Sequence, residues 1–186
     1  LFFNDISFQL PLEGHHNALN FMFAIAIARE LSVSLKYLSD LKVIMPHGSN
    51  KCFDLNGITI MDETYNASRE SVLASLDLLK TKPGRHYAVL GQMLELGEYS
   101  VGYHCEIAEY AVKLGLDGII LLVNEPEATA MSNIINQLPF SQVVETVEEI
   151  VVALKKVIKR GDSILFKASR AYSLEKIIPK INNFEF

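Results

Sequence analysis

Gly118-Ile119-Ile120-Leu121-Leu122-Val123 is an unbroken apolar run closed by Asn124-Glu125-Pro126. Six residues are too few for a helix of ordinary length, and every second side chain lacks the polar partner of a half-solvated strand. The run reads as a strand covered on both faces, the signature of a parallel sheet sandwiched between helices.

The flanking segments agree. Upstream, Val101–Leu114 has apolar residues at helical spacing (Ile107, Ala108, Ala111, Val112, Leu114), and before it His86–Leu90 reads as a strand after Pro83-Gly84. Downstream come a helix over Glu127–Leu138, a short strand at Gln142–Val144, a helix over Val147–Lys159 and a strand at Ser163–Lys167 entered from Gly161-Asp162. A last helix begins at Tyr172 and is ended near Pro179. Asn56-Gly57, between Lys51–Leu55 and Ile58–Met61, is a hairpin turn signal, and the helix Ser68–Leu79 follows. Strands alternating with helices over short connections predict an α/β fold with a parallel sheet and helices on both faces.

The N-terminal stretch differs. Phe2–Leu12 shows the alternation of a strand or two, ended by Gly14. The helix His15–Leu31 is apolar nearly all round from Leu19 to Ala28, which predicts burial. A second helix is expected over Ser34–Val43, with Leu35, Leu38 and Leu41 on its face. The turn-rich Met45-Pro46-His47-Gly48-Ser49-Asn50 marks a domain boundary.

Composition narrows the function classes. Of 186 residues, 49% are apolar and 21% charged, with a formal net charge of −5. No basic stripe suits nucleic acid or an anionic membrane, and the longest apolar run, Phe21–Ala28, is too short to cross a bilayer. Cys52 and Cys105 form no C-x-x-C pair and read as reduced thiols of a cytoplasmic protein. The chain opens on Leu1 rather than Met, which reads as a piece whose natural start lies upstream. There is no G-x-x-x-x-G-K-[ST] loop, no G-x-G-x-x-G after the first strand and no G-x-S-x-G elbow.

Ligands of an open parallel sheet bind outside the carboxyl ends of its strands. Those ends are Asp62–Ser68, Gly91-Gln92-Met93, Asn124-Glu125-Pro126 and Lys167-Ala168-Ser169-Arg170. Asp62 and Glu63 alternate to opposite faces, so they are not one acid–base pair. One suits ribose hydroxyls; equally, one caps the next helix or pairs with a lysine. Lys167, Ser169 and Arg170 form a tight cationic cluster that suits a carboxylate or phosphate, or else a solvated loop making surface pairs. Ser68 suits a helix N-cap. Asn17 and Asn20, three apart on one helix face, either offer amides to a base or cap and pack. His15 and His16 make no metal pattern, and His104 and Cys105 read as structural or surface groups.

Four stretches together resemble the Mur ligase family. They are Gly14-His15-His16-Asn17-Ala18-Leu19-Asn20; Met61-Asp62-Glu63-Thr64-Tyr65-Asn66-Ala67-Ser68; Tyr87-Ala88-Val89-Leu90-Gly91-Gln92-Met93-Leu94-Glu95-Leu96-Gly97; and Ile164-Leu165-Phe166-Lys167-Ala168-Ser169-Arg170. The second and third stretches are most similar to the type that joins D-Ala-D-Ala to UDP-N-acetylmuramoyl-tripeptide in peptidoglycan precursor synthesis. The resemblance implies that residues 1–45 are the tail of a central ATP-binding domain and 46–186 a C-terminal Rossmann-like domain. It implies ATP and Mg2+ as cofactors, held mainly by an upstream part. By the same resemblance, Asn17 and Asn20 meet adenine, and Asp62 and Glu63 lie where the ATP ribose is met. Tyr65 and Asn66 lie near the joined active site, and Lys167, Ser169 and Arg170 help seat the amino-acid substrate. No catalytic residue or metal ligand falls in this chain.

The chain departs from the family's pattern at Gly48-Ser49, where Gly-Arg is usual, and at Gly91-Gln92-Met93, where Gly-Asp-Met is. It departs again at Lys167-Ala168-Ser169-Arg170 for Lys-Gly-Ser-Arg, and at Ser68-Arg69, where a proline is common. Alternatives are a related ligase of the folylpolyglutamate or cyanophycin type, and a binding module that has lost catalysis.

Overall fold

Asn56 and Gly57 both take positive φ (56° and 83°), the geometry a two-residue hairpin needs, and they join β3 (Lys51–Leu55) to β4 (Ile58–Glu63). The computed structural model describes residues 2–3, 6–39, 41–44, 46–182 and 184, which fall into two compact units, 1–45 and 46–186. Met45, read as part of the boundary turn, lies outside the described residues.

In the larger unit, β4 is followed by α2 (Arg69–Lys80), β5 (His86–Gly91), α3 (Ser100–Lys113), β6 (Gly118–Leu122), α4 (Glu127–Ile135), β7 (Ser141–Val143), α5 (Val147–Val157) and β8 (Ser163–Lys167). The strand order is β3-β4-β8-β5-β6-β7, with β3 antiparallel and all other pairs parallel. The last strand therefore returns to the middle of the sheet. Side chains alternate between two cores. Met61, Leu90, Leu165 and Leu121 pack with α2, α3 and α4 on one face. Ile60, Val89, Phe166 and Ile120 pack with α5 and the C-terminal turns on the other. The α/β class and the helices on both faces are as the sequence predicts.

The C-terminus departs from expectation. Instead of a helix from Tyr172, there are 3-10 turns at Arg170–Tyr172 and Leu174–Lys176, separated by Ser173 in the left-handed region (φ 49°). Pro179 starts the short α6 (Ile178–Ile181) rather than ending a helix, because a first-turn proline has no amide to lose.

In the smaller unit, β1 (Phe2–Phe3) pairs antiparallel with β2 (Ile6–Ser7), and α1 spans His15–Glu30. Burial of α1 is confined to Phe21, Ile25 and Ala28, with Phe8 edge-on to Phe21 at 5.9 Å. Met22, Phe23 and Ile27 are exposed, Phe23 by 69%, which corrects the expectation of burial all round. The helix expected over Ser34–Val43 reduces to one 3-10 turn, Leu35–Leu38; Leu41 and Val43 are exposed. A short helix without a packed face is marginal.

Candidate functional site

The five parallel strands bring their carboxyl ends to one rim, and β8 puts its end, Lys167, between those of β4 and β5. Glu63 and Lys167 are register partners across β4 and β8, so their side chains share the α2 face. The Lys167 ammonium lies 3.7 Å from a Glu63 carboxylate oxygen and donates to the Asn66 carbonyl at 3.1 Å. Only 3% of its side chain is exposed. Burial pulls its pKa below the ordinary 10.5, and Glu63 opposes that shift. Asp62 faces the other way, and its Oδ1 accepts from the Thr64 amide (3.3 Å) and hydroxyl (2.7 Å). The expected alternation of Asp62 and Glu63 is observed.

The loop after β4 is fastened again from the turn before β3. The Tyr65 amide donates to the Gly48 carbonyl at 2.6 Å. Gly48 has φ 78°, and a Cβ there would fall 2.5 Å from the Thr64 hydroxyl, so the contact requires glycine. The Asn66 side chain accepts from the Ala67 amide, leaving the Asn66 residue exposed. The exposed Arg170 places its guanidinium 5.3 Å from the Tyr65 ring centroid, a cation–π contact on the outer side of the rim.

The end of β5 is tied more densely. The Met93 amide donates to His104 Nε2 at 3.0 Å, while Nδ1 of this buried imidazole lies 2.8 Å from the Ser100 carbonyl. This pair of partners fits the neutral ring with its proton on Nδ1. The Leu94 amide donates to Ser169 Oγ (3.2 Å), and the Ser169 amide to the Gln92 carbonyl (3.4 Å). Gln92 Oε1 accepts from the Tyr172 hydroxyl (2.8 Å) and from the Asn124 amide (3.2 Å), and the Asn124 side-chain amide donates to the Tyr172 oxygen (3.0 Å). The amides of Tyr65, Ala67, Met93, Leu94 and Asn124 thus all have acceptors within the protein. Those five N–H groups are therefore not free to cradle a phosphate.

Beside this network lies a cavity of about 510 Å³ whose lining includes Val123, Asn124, Glu125, Val144, Glu145 and Tyr172. Its lining is aliphatic apart from Asn124, Glu125, Glu145 and Tyr172, and both Glu125 carboxylate oxygens accept from Thr129, from its amide (3.3 Å) and its hydroxyl (2.8 Å). The Tyr172 hydroxyl is held above its ordinary pKa, mainly by burial, and stays a neutral donor.

The structure thus brings Asp62, Glu63, Tyr65, Asn66, Lys167, Ser169 and Arg170 to one rim. Asn17 and Asn20 belong to the smaller unit, on α1; the Asn17 side chain donates to the Glu13 carbonyl at 2.6 Å, and Asn20 is exposed. Lys167, Ser169 and Arg170 do not form one cationic cluster: Lys167 turns inward, Ser169 braces the β5 end, and Arg170 faces outward. The sequence pointed to the ends holding Gln92 and Asn124 and read His104 as a structural or surface group, and the structure buries it as a structural one; Tyr172, which joined no motif at a strand end, was missed. Among the described residues, no group of three or more His, Cys, Asp or Glu side chains could hold a metal ion, and none is assigned to magnesium.

Residues 51–170 match the family model described as Mur ligase, glutamate ligase domain. A UDP-N-acetylmuramoyl-tripeptide--D-alanyl-D-alanine ligase of Synechocystis is 39% identical over 184 residues, which is 97% of this chain and 40% of the relative. The chain therefore spans about two fifths of the length of such relatives. The MurF ligase of Thermotoga maritima, solved in complex with ADP, superposes with a TM-score of 0.74 at 32% identity, over 92% of this chain and 39% of that one. MurF from Acinetobacter baumannii gives 0.80 at 27% identity, over 94% and 39%. With a match that covers well over half of its residues, and with the rim of parallel strand ends described above, the chain belongs to the Mur ligase family.

Proposed function

We propose that this chain is the C-terminal portion of an ATP-dependent ligase that joins D-Ala-D-Ala to UDP-N-acetylmuramoyl-tripeptide. On this reading, residues 1–45 are the tail of the central ATP-binding domain and 46–186 the C-terminal domain. The observation that carries it is the 39% identity to a ligase of that name, which runs across both units and 97% of the chain. In the reaction, ATP phosphorylates the tripeptide's terminal carboxylate, the dipeptide amine attacks the acyl phosphate, and phosphate leaves as the amide forms.

This chain's part is to bind and orient. Asn17 and Asn20 meet the adenine, and Asp62 and Glu63 lie toward the ribose. The neighbouring loops, with Tyr65, Asn66, Ser169 and Arg170, face the joined substrates. Arg170 is exposed and its guanidinium fork suits a carboxylate. The cavity beside Tyr172, with Val123 and Val144 in its lining, suits the methyl groups of the dipeptide. Magnesium, with ATP, supplies charge neutralisation at the transferred phosphoryl group from ligands outside this chain. The reading puts the protein in the cytoplasm, where its free thiols, Cys52 and Cys105, stay reduced.

The test is phosphate release by the full-length protein given ATP, magnesium and the tripeptide nucleotide, with and without D-Ala-D-Ala. Dipeptide-dependent release is expected. Release indifferent to the dipeptide, or driven better by glutamate or aspartate, overturns the reading. Ser49, in place of the family's arginine, favours a second reading, a module without catalysis; turnover by the wild-type protein eliminates it.

A further inference from the structure

Lys167 is set differently from a residue that offers its charge to a ligand. On the α2 face of the sheet it is flanked by its register partners, Glu63 on β4 and Leu90 on β5. Met61, Leu90 and Leu165 pack in the core beneath that face. Its ammonium is nearly sealed from solvent and holds two partners of the same loop, the Glu63 carboxylate at 3.7 Å and the Asn66 carbonyl at 3.1 Å. A buried ammonium with too few partners is costly, and removing either member of a buried pair strands the other. The pair therefore acts as a tie. One end is rooted in the central strand, and the other holds the segment that turns from β4 into α2.

We propose that Lys167 is a positioning residue, which fixes the Glu63–Ala67 loop through Glu63 and the Asn66 carbonyl instead of contacting the amino-acid substrate. The loop's other ties, Thr64 to Asp62 and Tyr65 to Gly48, set its local shape. Lys167 joins that shape to the sheet. Asp62 is already fixed in the ladders of β3, β4 and β8, and the segment of Thr64, Tyr65 and Asn66 beyond it is held to the sheet through this tie. The proposal rests on the ligase reading only for what the loop then does in catalysis.

Amide hydrogen exchange of Lys167→Met tests it without any substrate. Exchange at Thr64, Tyr65 and Ala67 should speed about 10-fold or more, while the β6 amides (118–122) hold within about twofold. Uniform acceleration, or none in the loop, overturns the proposal. Should Lys167→Met fail to fold, Glu63→Gln decides: it keeps the bond to Asn66 and should speed the loop about two- to threefold, and an unchanged loop overturns the proposal. The effects of the two substitutions should combine as less than their product, because each removes the same tie; independent effects overturn it.

In the full-length protein, Lys167→Met should lower kcat for phosphate release about 10-fold and leave the KM for D-Ala-D-Ala within about twofold. A KM raised about 10-fold at unchanged kcat identifies a direct substrate contact and overturns the proposal. If the wild-type protein itself releases no dipeptide-dependent phosphate, the ligase reading fails, and the exchange data still decide the role of Lys167.

Discussion

Ala168 stands where the family usually has glycine, and its neighbour across the sheet shows how the extra methyl group fits. A Cβ built at Gly91 would lie 2.6 Å from the Ala168 Cβ and 3.5 Å from the Tyr172 ring. The space that glycine would leave at 168 is filled, and glycine at 91 leaves room for it. Overpacking a closed site of this kind costs about 1–3 kcal/mol. Gly91→Ala should lower stability by that amount in urea unfolding, and Ala168→Gly in the same chain should restore most of it. Equal loss with and without Ala168→Gly would show that the two positions are not coupled. The same scale explains Gln92. Its side chain reaches both the Tyr172 hydroxyl and the Asn124 amide, so a neutral acceptor does the joining here in place of a carboxylate.

Among the elements, α2 has its start written most clearly in the sequence. Ser68 accepts from the Ser71 amide at 3.3 Å, and Ser71 Oγ accepts from the Ser68 amide at 2.9 Å, a reciprocal capping box. This places the first turn of α2 directly after the loop that Lys167 ties down. Ser68→Ala should cost about 1 kcal/mol and Ser68→Gly only a few tenths, measured by urea unfolding; equal losses would assign the effect to something other than the cap. The cap was legible because it needs only local residues. The helix expected over Ser34–Val43 shows the opposite case. Its leucines have helical spacing, but spacing holds a helix only where a partner surface takes up the apolar face, and here Leu41 and Val43 remain exposed. Likewise, among the described residues, α1 buries Phe21, Ile25 and Ala28 on one side and leaves Met22, Phe23 and Ile27 uncovered.

At the level of the whole molecule, the return of β8 to the centre of the sheet organises both core and rim. Phe166 is fully buried on that strand, between β4 and β5 and beneath the α5 side. Phe166→Ala should remove about 3–5 kcal/mol in denaturant unfolding, and a loss under 1 kcal/mol would show that β8 is not central to the core. The same topology places Lys167 beside Glu63, 104 positions earlier in the chain. No reading of the sequence could supply that pairing, because strand order is set by which apolar faces the helices cover and not by local pattern. The residues alone were enough for the strands and helices between Lys51 and Lys167, the apolar run of β6, the hairpin at Asn56-Gly57 and the cap at Ser68, but not for the segments on either side of them. Each follows from periodicity or backbone preference over a few residues. Only the tertiary structure decided which strand ends adjoin. It thereby turned Lys167 inward to a carboxylate and Arg170 outward over Tyr65, and gathered Gln92, Asn124 and Tyr172 into one network. Side-chain orientation at a strand end depends on its register with neighbours far away in the chain, and a buried ammonium settles where desolvation is offset by a partner.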